Sequence, residues 1–156
     1  MKPFTLRPAK DSDLEFLRKL SAQVFSKYGD YDEIVPAWFL QPGVITEIIT
    51  EESGPLGFAM LALAGESPFE PRGAHLLAIS VSPAHQRKGV GSALLKHMEE
   101  LARKYGAAAV HLWTGQDNLQ AVSFFQKAGF IITGSEDRYY PRGQPALGMS
   151  KKLVPW

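Results

Sequence analysis

Residues 79–95, Ile-Ser-Val-Ser-Pro-Ala-His-Gln-Arg-Lys-Gly-Val-Gly-Ser-Ala-Leu-Leu, constrain the fold more than any other stretch of the chain. An apolar run ends at Ser82-Pro83, and a basic turn with two glycines follows. From Val90 apolar residues recur at Leu94, Leu95, Met98, Leu101 and Ala102, with Lys96, Glu99, Glu100 and Arg103 opposite. Run, turn and stripe predict a buried strand, a tight loop and an amphipathic helix that lays its stripe on a sheet. The first turn of such a helix has unpaired N–H groups and a partial positive charge, so it attracts anions. Gly89 and Gly91 let the backbone approach a phosphate or pyrophosphate closely, while Arg87 and Lys88 add charge.

Two common nucleotide motifs fail against these residues. A P-loop needs a Lys after its last glycine, where Ser92-Ala93 stand; a dinucleotide fingerprint needs a third glycine where Leu94 stands. The ribose-binding acid of the latter is also missing, since the next strand ends at Trp113-Thr114.

The remaining chain reads as alternating elements. Residues 4–7 form a short strand, and Asp11 is the expected N-cap of a helix carrying Leu14, Leu17, Leu20 and Val24. An aromatic and acidic segment, 28–39, is bounded by Pro36, Pro42 and Gly43 and holds a short helix. Residues 44–50 and 56–64 flank the turn Glu52-Ser53-Gly54-Pro55 as a β-hairpin. After a Pro- and Gly-rich loop at 65–73, a strand covers 75–81. The helix from Val90 ends at Gly106, a strand spans 107–114, Asn118 caps a helix to Lys127, and strands at 130–137 and 146–153 close the chain. The order implies one α/β domain over residues 1–156 with a mixed central sheet of six to seven strands and about four helices.

Composition removes several classes of function. Seventeen Lys and Arg against sixteen Asp and Glu leave a net charge of +1, which provides no field for nucleic acid. The absence of cysteine excludes a disulfide framework, a thiolate metal site and a Cys nucleophile, and no metal site is expected. The longest apolar run, 56–64, is too short to span a bilayer, and no apolar leader follows Met1, so a cytoplasmic address is the default expectation.

Gln86-Arg87-Lys88-Gly89-Val90-Gly91 matches the acyl-CoA signature [QR]-x-x-G-x-[GA], and Asn118 to Phe130 matches N-x-x-A-x-x-[LF]-Y-x-K-x-G-F apart from its tyrosine. With Leu6-Arg7-Pro8-Ala9, Pro55-Leu56-Gly57-Phe58 and Tyr139-Tyr140-Pro141, the chain resembles the GNAT N-acetyltransferases along nearly its whole length. The resemblance implies acetyl-CoA as cosubstrate and direct attack by a primary amine, from a small molecule or a peptide N-terminus. A homodimer stays open. By the resemblance, Ile79, Ser80 and Val81 pair with the pantetheine arm; Arg87, Lys88, Gly89, Val90, Gly91 and Ser92 hold the pyrophosphate; Asn118 meets the pantetheine or the acceptor; and Gln86 and Phe125 complete the cofactor-binding set.

Two positions depart from that pattern. Trp113 stands where a Glu or His base is usual, and Phe125 where a tyrosine protonates the leaving thiolate. Trp113 shapes an acceptor pocket or fills the core. His111, on the face of Trp113 by two-residue alternation, is the first candidate base, with His75 and Glu66 behind it. His85 and His97 read as solvated. Tyr139 and Tyr140 are candidate proton donors, against a role as cross-strand contacts. Asp30, Asp32 and Glu33 beside Tyr28 and Tyr31 form either an acidic, aromatic acceptor wall or a solvated loop. A non-catalytic acyl-CoA sensor and a nucleotide-phosphate binder are the readings from other classes.

Overall fold

A computed structural model describes residues 4–63 and 73–154. The elements run β1 (Thr5–Pro8), α1 (Leu14–Phe25), α2 (Tyr31–Phe39), β2 (Val44–Glu51), β3 (Gly54–Leu63), β4 (Gly73–Val81), α3 (Val90–Lys104), β5 (Ala109–Gly115), α4 (Leu119–Lys127), β6 (Ile131–Glu136) and β7 (Ala146–Lys152). The seven strands form one sheet in the order β1-β2-β3-β4-β5-β7-β6. Only β4 and β5 are parallel; all other neighbours are antiparallel. The expected mixed sheet with four helices is therefore present, and the hairpin at 52–55 is tighter than expected because Gly54 already pairs with Glu51. The loop expected at 65–73 lies, but for Gly73, outside the described residues, as does Glu66.

Strand alternation sends side chains to two cores. Ile49, Ala59, Leu61, Leu76, Val110 and Leu112 meet the stripe of α3, Val90, Leu94, Leu95, Met98 and Ala102. Ile48, Phe58, Met60 and Ala78 meet Leu17, Leu20 and Val35 from α1 and α2. Glu99, expected on the solvent side of α3, is buried, and its carboxylate takes an ion pair from Lys151 of β7 at 2.6 Å. Asp11 does not cap α1: a 3-10 turn at Asp11–Asp13 precedes the helix, and Asp13 takes the N-cap position. The Asp13 carboxylate is held by the two terminal nitrogens of the Arg7 guanidinium, at 2.7 and 2.9 Å, and by the Lys10 amide at 2.7 Å. Pro36, expected as a boundary, lies inside α2.

The β3–β4 pair is close enough at one point to demand glycine. A Cβ on Gly57 would stand 2.4 Å from the Ser80 carbonyl oxygen. Gly57→Ala is expected to cost about 1–3 kcal/mol, as overpacking does, read as a lower urea midpoint with an unchanged slope.

Candidate functional site

β4 is paired on both sides along only part of its length. Its parallel register with β5 runs from Gly73↔Ala109 to Leu76↔Leu112 and stops there. On its other side, Met60 pairs with Ala78 but Leu61 with Leu76, which leaves Leu77 as an extra residue. Such a bulge bends its strand, so β4 turns away from β5 where their pairing ends. The gap is a cavity of about 530 Å³ between Ile79, Ser80 and Val81 on one wall and Trp113, Thr114 and Gly115 on the other.

One end of the cavity is the turn before α3. The Ser82 N–H bonds back to the Leu56 carbonyl at 2.8 Å, so alternation aims the backbone groups of Ile79 and Val81 at the open edge of β4. The Gln86 side-chain amide donates to the Val81 carbonyl at 3.0 Å and ties the turn to the strand. Arg87 (φ 64°) and Gly89 (φ 81°) both sit in the left-handed region, and Gly89 is the N-cap of α3. A left-handed N-cap suits glycine, and the first N–H groups of α3 follow directly on the turn that carries Gln86 and Arg87. At Gly91 a Cβ would only touch the Phe124 ring (3.5 Å) and Val81 (3.8 Å). Of the expected cofactor set, Ile79, Ser80, Val81, Gln86, Arg87, Gly89, Gly91, Ser92, Asn118 and Phe125 all line this one cavity. Lys88 and Val90 do not; the Val90 side chain is buried in the core beneath α3, so only its backbone belongs to the turn. The Ser80 hydroxyl is buried with no hydrogen-bond partner. Asn118 accepts the Ala121 N–H at 3.2 Å, so it is a helix cap as well as a cavity residue. Phe125 packs edge-on against Phe124 and Phe130.

The other end is aromatic. Tyr28, Tyr31, Trp38, Trp113, Tyr139 and Tyr140 line it. Tyr28 and Tyr140 are 4.4 Å apart between ring centres, Tyr31 lies 5.9 Å from Trp38, and Trp113 stacks on Tyr139 at 5.1 Å. Trp113 is thus a wall of the cavity, 37% exposed, and not core. The Tyr28 hydroxyl donates to Asp117 at 3.0 Å, and Asp117 is paired with Lys27. Burial, then the Asp117 hydrogen bond, pushes Tyr28 up to about 12; burial and Tyr139 do the same for Tyr31. Burial also raises Tyr139 and Tyr140, so all four remain phenols at neutral pH.

The loop after β6 grips the loop after α1. Arg142 Nε donates to the Ser26 carbonyl (3.0 Å), its backbone N–H to the Tyr28 carbonyl (3.2 Å), and the Gln144 amide to the Lys27 carbonyl (2.7 Å). Arg142 also pairs with Asp30 at 3.1 Å. Asp30, Asp32 and Glu33 do not line the cavity, whereas Tyr28 and Tyr31 from the same segment do. Tyr28 was legible as a member of an aromatic wall or of a solvated loop; its fit depends on Gly115, where a Cβ would stand 2.3 Å from the Tyr28 hydroxyl.

The imidazoles are distributed differently from expectation. His111 does share the face of Trp113, but it does not line the cavity, and its Nδ1 is 2.6 Å from the Ser150 hydroxyl. His75, opposite it in register with ring centres 5.5 Å apart, does line the cavity. Loss of hydration and, second, His111 hold the His75 imidazole below its ordinary value. His97 and His85 are not free in solvent: His97 is 2.7 Å from Glu47, and His85 is 3.9 Å from Glu51. No group of three or more His, Asp or Glu among the described residues is placed to hold a metal ion. No helix among them is long and apolar enough to cross a membrane.

Comparison with known proteins gives a consistent result. An uncharacterized N-acetyltransferase of Methanocaldococcus jannaschii is 28% identical over 142 residues, covering 83% of this chain and 62% of the relative. The ribosomal protein bS18-alanine N-acetyltransferase of Escherichia coli is 35% identical over 68 residues, 44% of this chain and 46% of the relative. The matched parts thus span less than two-thirds of these relatives. The crystal structure of the ribosomal-protein-S18-alanine N-acetyltransferase from Escherichia coli superposes with a TM-score of 0.82 at 21% identity, covering 99% of this chain and 96% of that one. An aminoglycoside 6'-N-acetyltransferase complexed with coenzyme A superposes with a TM-score of 0.77 at 16% identity, covering 97% and 98%. The family model of the acetyltransferase (GNAT) family matches residues 14–130, three-quarters of the chain and every wall of the cavity except Tyr139 and Tyr140, and the chain belongs to that family.

Proposed function

We propose that residues 1–156 act as one acyl-CoA-dependent N-acetyltransferase domain, which passes the acetyl group of acetyl-CoA directly to a primary amine. The observation that carries this reading is a single cavity with an anion-binding helix start at one end and an imidazole and phenols at the other. Family membership and the coenzyme A complex of a neighbour of the same fold support it. A cytoplasmic address accords with use of a metabolic thioester.

The residues present fit the cosubstrate. The first-turn N–H groups of α3, with Arg87, suit a pyrophosphate, and nothing lies within 4 Å of the space a Cβ on Gly89 would take. The free edge of β4 at Ile79 offers backbone donors and acceptors to an amide-bearing arm, while the Val81 carbonyl is already engaged by Gln86. Acetyl-CoA supplies the activated acyl carbon. In the transfer, the amine nitrogen forms a C–N bond, the tetrahedral intermediate collapses with loss of the C–S bond, and the amine's proton must go to a base. We assign that base to His75 and not to His111, because His75 lines the cavity and His111 does not. With no cysteine in the chain, no acyl-thioenzyme intervenes. Phe125 carries no proton for the departing thiolate, so Tyr139 or Tyr140, held as phenols, takes that role. A non-catalytic acyl-CoA sensor is the second reading, resting on Trp113 and Phe125 in place of the usual base and acid; turnover of any amine removes it.

Coenzyme A at a hundredfold excess over Kd should stabilise the fold by about 2.7 kcal/mol, or roughly 5–10 °C in Tm. Gly91→Val should fold and lose that shift, since its branched side chain takes ligand space; an unmoved Tm in the wild type with no heat on titration would remove the cosubstrate assignment.

The pH profile separates the two histidines. The acid limb of kcat/KM should lie below the ordinary imidazole value of about 6.5, because lowering the pKa keeps His75 deprotonated to lower pH. His75→Gln should cost about 10²-fold or more and erase the limb. His111→Gln should retain activity and move the limb to higher pH, because a neighbour that lowers His75 is gone; the opposite pattern would transfer the base role to His111.

Tyr139→Phe and Tyr140→Phe test the donor. A thiol of pKa near 8.5 is a fair leaving group unaided, so loss of the true donor should lower kcat by about 10²-fold at most, the lower limit for a general acid. Coenzyme A affinity should stay unchanged, and unaltered kcat in both variants and in their double would leave the proton to water.

A further inference from the structure

The acceptor half of the cavity has a chemical character that narrows the amine it takes. Its walls are the rings of Tyr28, Tyr31, Trp38, Trp113, Tyr139 and Tyr140, and among the described residues no Asp or Glu lines it. Of the carboxylates close in sequence, Asp30 is paired with Arg142, and Asp117 with Lys27 and the Tyr28 hydroxyl. The four tyrosines are phenols, so the wall carries no anion of its own. The rings are also held in place from outside the cavity, by the Tyr28–Asp117 bond and by the grip of Arg142 and Gln144 on residues 26–28. A wall positioned before the ligand arrives loses little freedom on binding.

Resting on the transferase reading, we propose that this half binds a primary amine bearing a bulky apolar or aromatic side chain beside the nitrogen, and discriminates against polycations. The side chain would replace water on ring faces at the aromatic end, which is favourable in proportion to apolar area removed from water. Trp113, stacked on Tyr139 and partly exposed, offers such a face. A second ammonium group entering the same space would shed water with no carboxylate among the described lining residues to pair with, a net cost. Cation–π attraction to the rings is the competing effect and favours the opposite order of acceptors. A free amine and a peptide N-terminus share the recognised chemistry, and the two can be told apart by experiment.

The test is thiol release at saturating acetyl-CoA with phenylalaninamide, glycinamide, tetrapeptides beginning with Phe or Gly, spermidine and tobramycin. The phenylalanyl acceptors should exceed their glycyl counterparts by about tenfold or more in kcat/KM, the scale of a well-filled apolar pocket, and should exceed both polycations. Whichever phenylalanyl form is faster identifies the source, free amine or peptide. Trp113→Ala should bring the Phe/Gly ratio toward one, mainly through KM, with the coenzyme A thermal shift retained as evidence of folding. A ratio near one in the wild type, an unchanged ratio in Trp113→Ala, or faster turnover of spermidine or tobramycin overturns the assignment. If no amine releases thiol, the transferase reading fails separately, and acceptor binding decides the inference. Tryptophan fluorescence of the coenzyme A complex should then respond to phenylalaninamide and not to spermidine, and an equal or reversed response overturns it.

Discussion

The extra residue at Leu77 is the constraint on which the rest of the site depends. With β4 in regular register on both sides, β4 and β5 would stay zipped past Leu76↔Leu112, and the sheet would have no gap. The bulge makes β4 bend away at the point where pairing with β5 ends, which frees backbone groups at Ile79 and opens the space between Val81 and Thr114. The close β3–β4 contact at Gly57 holds the bent half of β4 on its other side. An unpaired strand edge is ordinarily a liability; here it faces a cavity whose expected occupant brings amides of its own.

The two ends of the cavity are built by different means. The anion end is local: Gln86 binds the turn to the strand it follows, and Gly89 in the left-handed region starts α3 at once. The aromatic end is assembled from four separate segments, and its rigidity comes from hydrogen bonds between loops more than a hundred residues apart, such as Arg142 to Ser26 and Gln144 to Lys27. Tyr28 is central to this assembly because its backbone accepts from Arg142, its hydroxyl reaches Asp117, and its ring meets Tyr140.

The chemistry follows from which groups the bend exposes. His75 and His111 are register partners on one face, yet only the one on the bending strand borders the cavity. The second imidazole, anchored by Ser150, acts on the first through its proximity. Trp113 carries no ionisable group, and the histidine that borders the same cavity lies on the neighbouring strand.

The chain's own order of residues determined whatever depends on neighbours within one or two turns: the strand–turn–helix junction at 79–95, the Asn118 cap, the stripe of α3, the 52–55 hairpin and hence the fold class. These are governed by periodicity, capping and turn chemistry, which act over a few residues. Tertiary structure alone decided the identity of the facing histidine, because that depends on where two strands part, which is set by β3 pairing with β4. It likewise placed Glu99 in the interior against Lys151 and paired Asp30 with Arg142 outside the cavity lining. A helical wheel or an acidic run does not reveal a partner more than fifty residues away. Charged groups take their environment from such partners, since burial is tolerated only where a counter-charge arrives from elsewhere in the chain.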